Sequence, residues 1–217
     1  ARVEDAVHTG DGLDVSLRLR DETVRFHLAR PGLHNAMNAA AAAAVGLAEG
    51  LDAGTIAERL AQAPLPALRM ERLVLGGGCL LVDCYNANPR SVQAAVKSLV
   101  ELAAAGKRFA LLGDMKELGT SSTELHWQTG HLAAESGLDG MATFGELARD
   151  IARGAREGGL GEVISFDTIP DAIDWVEHKL AGGGCVLLKG SRAMRLERIA
   201  RALAGKHKSP WGREAGE

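Results

Sequence analysis

The chain has 217 residues, 46% of them hydrophobic, and a net charge of -3. That is ample apolar content for one large domain, or for a modest domain with a further piece attached. The near-neutral charge leaves no footprint for nucleic acid, and the longest apolar run, Ala39 to Val45, is far too short to cross a bilayer, so neither partner is expected.

Cys79, Cys84 and Cys185 are odd in number and lack metal-ligand spacing, so they read as reduced thiols in a cytoplasmic protein. The chain opens at Ala1 on sequence that reads like the middle of a domain rather than a signal peptide. A piece of a longer protein, acting as a monomer, is expected.

Taken in chain order, Leu13, Val15, Leu17 and Leu19 alternate with polar residues, as do Val24, Phe26 and Leu28. With Arg20–Thr23 between them, the pattern predicts a β-hairpin with one buried face, stopped by Pro31-Gly32. An alanine-rich helix follows from about Asn35 to Glu49, and a second from about Ala53 to Ala63. Pro64 and Pro66 end it and mark the domain boundary, giving units 1–65 and 66–217.

Beyond Pro66 strands and helices alternate. Strands are predicted at Arg72–Leu75, Leu80–Asp83, Phe109–Leu112, Met141–Phe144, Val163–Phe166 and Val186–Lys189. Helices are predicted at Ser91–Ala105, Ser122–Ser136, Glu146–Glu157, Pro170–Leu180 and Arg192–Leu203, with Ser91 and Ser122 as N-caps and Gly106 and Gly137 as stops. Such alternation predicts an α/β fold, a Rossmann-like, mostly parallel sheet with helices on both faces. The glycine runs Gly76–Gly78 and Gly182–Gly184 read as turns, and the tail Lys206–Glu217 as a polar, frayed end.

Four segments suggest chemistry. Asp83-Cys84-Tyr85-Asn86-Ala87-Asn88-Pro89 closes one strand and opens a helix. An acid there can accept both hydroxyls of a ribose, and the helix N-terminus behind it favours phosphate; the plainer alternative is an Asx turn. Asn35 and Asn38 lie three apart on one helix face, where amides can read a purine edge; alternatively Asn35 only caps the helix and Asn38 is solvated. Arg69 can hold phosphate by a bidentate fork, or pair with Glu71 at the surface. The loops at Gly113–Gly119 and at Lys189-Gly190-Ser191-Arg192 follow strands on the same edge as Asp83, so their charges suit a zwitterionic peptide. His126, Trp127 and Trp175 read as structural. No Gly-x-x-x-x-Gly-Lys-Ser/Thr is present to grip a triphosphate: Gly106-Lys107 and Gly205-Lys206 both lack the first glycine and the hydroxyl residue.

In this order and spacing the four segments resemble the Mur ligase family, from about Leu13 to Leu203. The likeness is nearest to the branch that joins D-alanyl-D-alanine to UDP-N-acetylmuramoyl-tripeptide with ATP and Mg2+. The resemblance implies that 1–65 is the end of a central ATPase domain, here a partial α/β segment of hairpin plus two helices. It implies that 66–217 is the C-terminal Rossmann-like domain. The P-loop, the modified lysine and most Mg2+ ligands of the family would lie outside this chain, leaving it inactive alone. Carried over by position, Asn35 and Asn38 fall near the adenine and Arg69 on the ATP phosphates, as the catalytic arginine. Asp83 falls on the ribose, with Tyr85, Asn86 and Asn88 lining that pocket. Asp114, Lys189, Ser191 and Arg192 fall on loops facing the dipeptide. Relatives often carry a glycine near Arg69, where this chain has Ala67-Leu68. Other readings are a stand-alone nucleotide- or peptide-binding module, or another ligase of this type, such as a diamino-acid-adding member or a folyl-polyglutamate synthase.

Overall fold

Leu13, Val15, Leu17 and Leu19 are each at most 1% exposed, while the residues between them face outward. The alternation makes Leu13–Leu19 (β2) a strand with one apolar face, paired antiparallel with Glu22–Leu28 (β3) as the expected hairpin. A further strand, Arg2–His8 (β1), pairs with the other edge of β2. No residue of β1 is buried, so it carries no alternation to read. The helices His34–Ala48 (α1) and Ala53–Ala61 (α2) pack on the apolar face through Ala36, Ala39, Ala40, Ala43, Ala53 and Ile56. Asp52 caps α2, accepting from Thr55 N–H at 2.9 Å, and the helix ends two residues before the expected Ala63.

The computed structural model describes residues 1–9, 12–29, 32–63, 67–103, 106–209 and 211. The chain divides into two compact units, Ala1–Pro66 and Ala67–Glu217. Pro31, the linker Pro64–Pro66, the predicted helix end at Ala105 and most of the tail beyond Ser209 lie outside the described residues.

In the second unit the strands are Glu71–Leu75 (β4), Gly78–Asp83 (β5), Arg108–Gly113 (β6), Gly140–Phe144 (β7), Val163–Phe166 (β8) and Cys185–Lys189 (β9). Between and after them run helices Pro89–Leu102 (α3), Ser122–Ala134 (α4), Ala148–Glu157 (α5), Ile169–Ala181 (α6) and Glu197–Lys206 (α7). The sheet order is β4-β5-β9-β6-β7-β8. Only β4 runs antiparallel, reached by a tight turn in which Gly76 and Gly77 both take positive φ, 60° and 89°. This is the mostly parallel α/β sheet that the alternation predicts.

Successive strand residues serve opposite cores. Leu81, Ala110, Leu112, Met141 and Leu187 pack with α3, α4 and α5. Leu80, Val82, Leu111, Leu188 and Val186 pack with α6 and α7. The α4–α5 contact is close because Gly130 and Gly154 each face backbone of the other helix, at Ile151 and Trp127, where a Cβ has no room.

Three local expectations are corrected. Asn88, not Ser91, caps α3: its Oδ1 accepts from Ser91 N–H at 2.9 Å, and Ser91 Oγ accepts from Asn88 N–H at 3.0 Å. Ser122 is the first residue of α4 rather than its cap, and a 3₁₀ turn, Gly119–Ser121, precedes it. The single helix expected over Arg192–Leu203 is a 3₁₀ turn, Arg192–Met194, followed by α7, because Arg195 takes the left-handed conformation, φ 50°.

Candidate functional site

The chain leaves β5 toward α3 on one face of the sheet and leaves β9 toward α7 on the other. A crevice therefore opens beyond the carboxyl ends of these adjacent strands, the place where ligands bind in open α/β sheets. Asp83 and Lys189 stand directly opposite each other there, as the last residues of β5 and β9.

Lys189 is 2% exposed. Its ammonium donates to Asp83 Oδ2 at 2.7 Å and to the Asn86 carbonyl at 2.9 Å. Expected as a cation offered to a dipeptide, it is instead committed inward, because a buried ammonium needs a paired charge and acceptors. It fixes the Asp83 carboxylate and the bend of the following loop. Asp83 Oδ1 takes no hydrogen bond among the described residues, so this carboxylate keeps lone pairs for a ligand.

Tyr85 and Asn86 are exposed just beyond Asp83. The Arg69 guanidinium stacks over the Tyr85 ring, 4.5 Å from its centroid. Glu71 does not pair with Arg69; it accepts from Leu68 N–H at 2.7 Å and from the Trp211 indole. Arg69 is presented by an unusual backbone: Leu68 and Met70 on either side have φ of 61° and 51°. Left-handed geometry costs a non-glycine residue about 1 kcal/mol or more, here offset by burial of both flanking side chains and by the Tyr85 N–H bond to the Leu68 carbonyl at 3.1 Å. The side-chain oxygens of Asn86 and Asn88 are used locally, on Ala87 N–H and on the α3 cap.

The second rim is built from the loops after β6 and β9. Asp114 is 2% exposed. Its Oδ1 accepts from Ala148 N–H at the start of α5, and its Oδ2 from the Lys116 ammonium, both at 2.8 Å. A carboxylate at a helix N-terminus is a favourable arrangement, and it leaves Asp114 as a support rather than an open acid. Ser191 is also buried and ties the two loops together, its N–H on the Asp114 carbonyl and its Oγ accepting from Lys116 N–H. Of the four residues expected to face a dipeptide, Arg192 alone offers an open charge, with its side chain 52% exposed and NH1 on Glu197 Oε1 at 2.6 Å. His126, fully buried, accepts from Met115 N–H at Nε2 and contacts the Ser122 carbonyl through Nδ1 at 2.7 Å, locking the Asp114 loop to α4.

Sequence reasoning passes over Lys116 and Glu197. Lys116 is a half-exposed cation on the same rim, and Glu197 is a buried acid whose Oε2 has no hydrogen-bond partner among the described residues. Their only signal is position, one on the quoted loop and one a turn beyond Arg192. A cavity of about 450 Å³ opens further along the edge, lined by Phe144, Gly145, Glu146, Arg149 and Asp167. Asn35 and Asn38 belong to the first unit. Asn38 is exposed on α1; Leu33 is the N-cap and Asn35 the second residue of the helix, so the alternative of Asn35 as the N-cap is excluded. No three His, Cys, Asp or Glu side chains gather to hold a metal ion among the described residues.

The model of a family described as "Mur ligase, glutamate ligase domain" matches residues 68–192. The UDP-N-acetylmuramoyl-tripeptide–D-alanyl-D-alanine ligase of Bacillus subtilis is 30% identical over 204 residues, 93% of this chain and 44% of its own length. A crystal structure of MurF from Acinetobacter baumannii superposes with a TM-score of 0.82 at 27% identity, over 94% of this chain and 44% of that one. MurF from Thermotoga maritima in complex with ADP shares the fold, with a TM-score of 0.79 at 24% identity over 95% and 46%. This chain spans less than half the length of these relatives. The matched segment runs from the Arg69 turn through Asp83 and Asp114 to Arg192, and on that match the chain belongs to the Mur ligase family.

Proposed function

We propose that this chain is part of an ATP-dependent ligase that adds D-alanyl-D-alanine to UDP-N-acetylmuramoyl-tripeptide in peptidoglycan precursor synthesis. The observation that carries the reading is Asp83, held by a buried lysine at the mouth of the crevice with one carboxylate oxygen left for a ligand. Family membership and the names of the relatives supply the reaction class.

ATP fits the groups present. Asp83 accepts the ribose hydroxyls, and Tyr85, Asn86 and Asn88 line that pocket. Arg69 reaches the phosphates from its strained turn, and Asn35 and Asn38 of the first unit read the adenine. Mg2+ does not fit the described residues, which gather no metal ligands, so no step here runs through it. The peptide carboxylate attacks the γ-phosphorus and ADP leaves, giving an acyl phosphate. The dipeptide amine then attacks the acyl carbon, and phosphate leaves as the amine gives up its surplus proton. Positioning and charge neutralisation supply the catalysis. Arg192 meets the dipeptide carboxylate, while Asp114, Lys189 and Ser191 hold the two rims in place. We assign 1–65 to the end of a central ATPase domain and 66–217 to a C-terminal domain of the same ligase.

With ATP, Mg2+ and both substrates, the isolated chain should release no phosphate, whereas the longer protein containing it should. In that longer protein Asp83→Asn should raise the KM for ATP about tenfold or more, equivalent to roughly 1.4 kcal/mol. An unchanged KM for ATP would remove Asp83 from the site.

A further inference from the structure

Cys79 and Cys185 face each other across the β5–β9 ladder, at the amino ends of the strands that carry Asp83 and Lys189 at their other ends. Both side chains lie on the α3–α5 side of the sheet. Cys185 is buried, 6% exposed, and Cys79 is half-buried. Arg72 of β4 donates from its Nε to Cys79 Sγ at 3.4 Å. The mechanism proposed above uses none of these three residues.

We propose that Cys79 and Cys185 form a peroxide-responsive dithiol, with Cys79 as attacking sulfur, Cys185 as resolving sulfur and Arg72 stabilising the thiolate. The asymmetry supports these roles. The neighbouring Cys185 thiol, with the Arg72 bond and charge added, holds the Cys79 thiol below its usual range despite partial burial. In turn Cys79, together with burial, pushes Cys185 up. The reactive sulfur is therefore the more accessible one, and the protonated sulfur waits beside it. Cys84 differs: it is buried on the opposite face, its thiol donates to the Leu188 carbonyl at 3.4 Å, and burial with Asp83 and Glu197 nearby pushes it up.

The oxidant is a hydroperoxide. The Cys79 thiolate attacks the terminal peroxide oxygen, the O–O bond breaks, and the alcohol or water leaves after taking a proton. The sulfenic acid so formed is attacked by Cys185, the S–S bond forms, the S–O bond breaks, and water leaves with the Cys185 proton. Two thiols have lost two electrons, and the hydroperoxide has gained them. Neighbouring strands lie about 4.8 Å apart, within the roughly 4.4–6.8 Å that separates the Cα atoms of a disulfide. The bridge can therefore close across the ladder at the register the strands already hold.

The test treats the whole chain with one equivalent of hydrogen peroxide at neutral pH, then alkylates and maps the peptides. The expected product is a linked pair of peptides carrying Cys79 and Cys185, lighter by two hydrogens and restored by dithiothreitol. It should be absent in Cys79→Ser and Cys185→Ser. Arg72→Leu should slow alkylation of Cys79 by iodoacetamide at pH about 6.5 on the order of fivefold, with an unchanged circular dichroism spectrum. Cys79 driven to sulfinic acid while Cys185 stays alkylable, or oxidation of Cys84 as fast as Cys79, or a bridge between two chains, would each overturn the proposal. The wild-type peptide map needs no variant to fold.

Discussion

Taking the Lys189 ammonium out of water costs several kcal/mol, and its bonds to Asp83 and the Asn86 carbonyl are what offset it. Asp83→Ala should therefore destabilise the chain by about 3–5 kcal/mol, measured by urea unfolding. Adding Lys189→Met should recover much of that loss, since no charge is then left buried. Glu162 makes a prediction in pH. Burial pushes its carboxyl up, but the Lys179 ammonium and the Trp175 indole N–H outweigh burial and hold it below its usual value. A lowered folded-state value means the contribution is present above the unfolded value and is lost as pH falls through the folded one. Glu162→Gln should thus lower Tm at pH 7, and the difference from wild type should shrink as pH falls through the folded-state value. The site was only half legible at this scale. Strand-end position was enough to pick out Asp83, Asp114, Lys189 and Ser191. Their burial depends on partners far away in sequence, 106 residues for the Asp83–Lys189 pair and 75 for Ser191 and Lys116, and no local pattern encodes that.

Among elements, the α4–α5 pair has the narrowest tolerance. Gly130 and Gly154 let the two backbones touch, so Gly130→Ala should force the helices apart and cost about 1–3 kcal/mol, seen as a lower urea midpoint. The α3 capping box is a smaller device: Asn88→Ala should cost about 1 kcal/mol. If Asn88 also touches nucleotide, the same change will raise the KM for ATP in the longer protein beyond any change in stability. Strand positions were readable because buried parallel strands are short apolar runs bounded by turns, as at Leu80–Val82 and Val186–Leu188. Strand β1 was not, because an exposed edge strand needs no apolar face. The helix break at Arg195 also went unread, since no glycine or proline marks its left-handed turn.

At the scale of the whole molecule, the second unit holds a six-stranded sheet with a core on each face, all supplied by its own residues. A polypeptide of residues 67–217 should therefore fold alone and melt cooperatively by circular dichroism; a gradual, non-cooperative loss of signal would show that it leans on the first unit. The mostly parallel sheet was legible from the alternation of strands and helices. The insertion of β9 between β5 and β6 was not, because strand order is a property of packing, with no local signature.

That insertion has a price in time. The central strand is the last of this sheet to be synthesised, so from the end of β6 at Gly113 to the start of β9 at Cys185 the strands β5 and β6 stand with a vacant lane between them. At ribosomal speeds of about 5–20 residues per second, the gap lasts on the order of 4–14 s. Throughout it the nascent chain shows two unmatched apolar edges to its surroundings. Newly made molecules should accordingly be the ones that aggregate or engage chaperones, while finished ones, with the lane filled, should not.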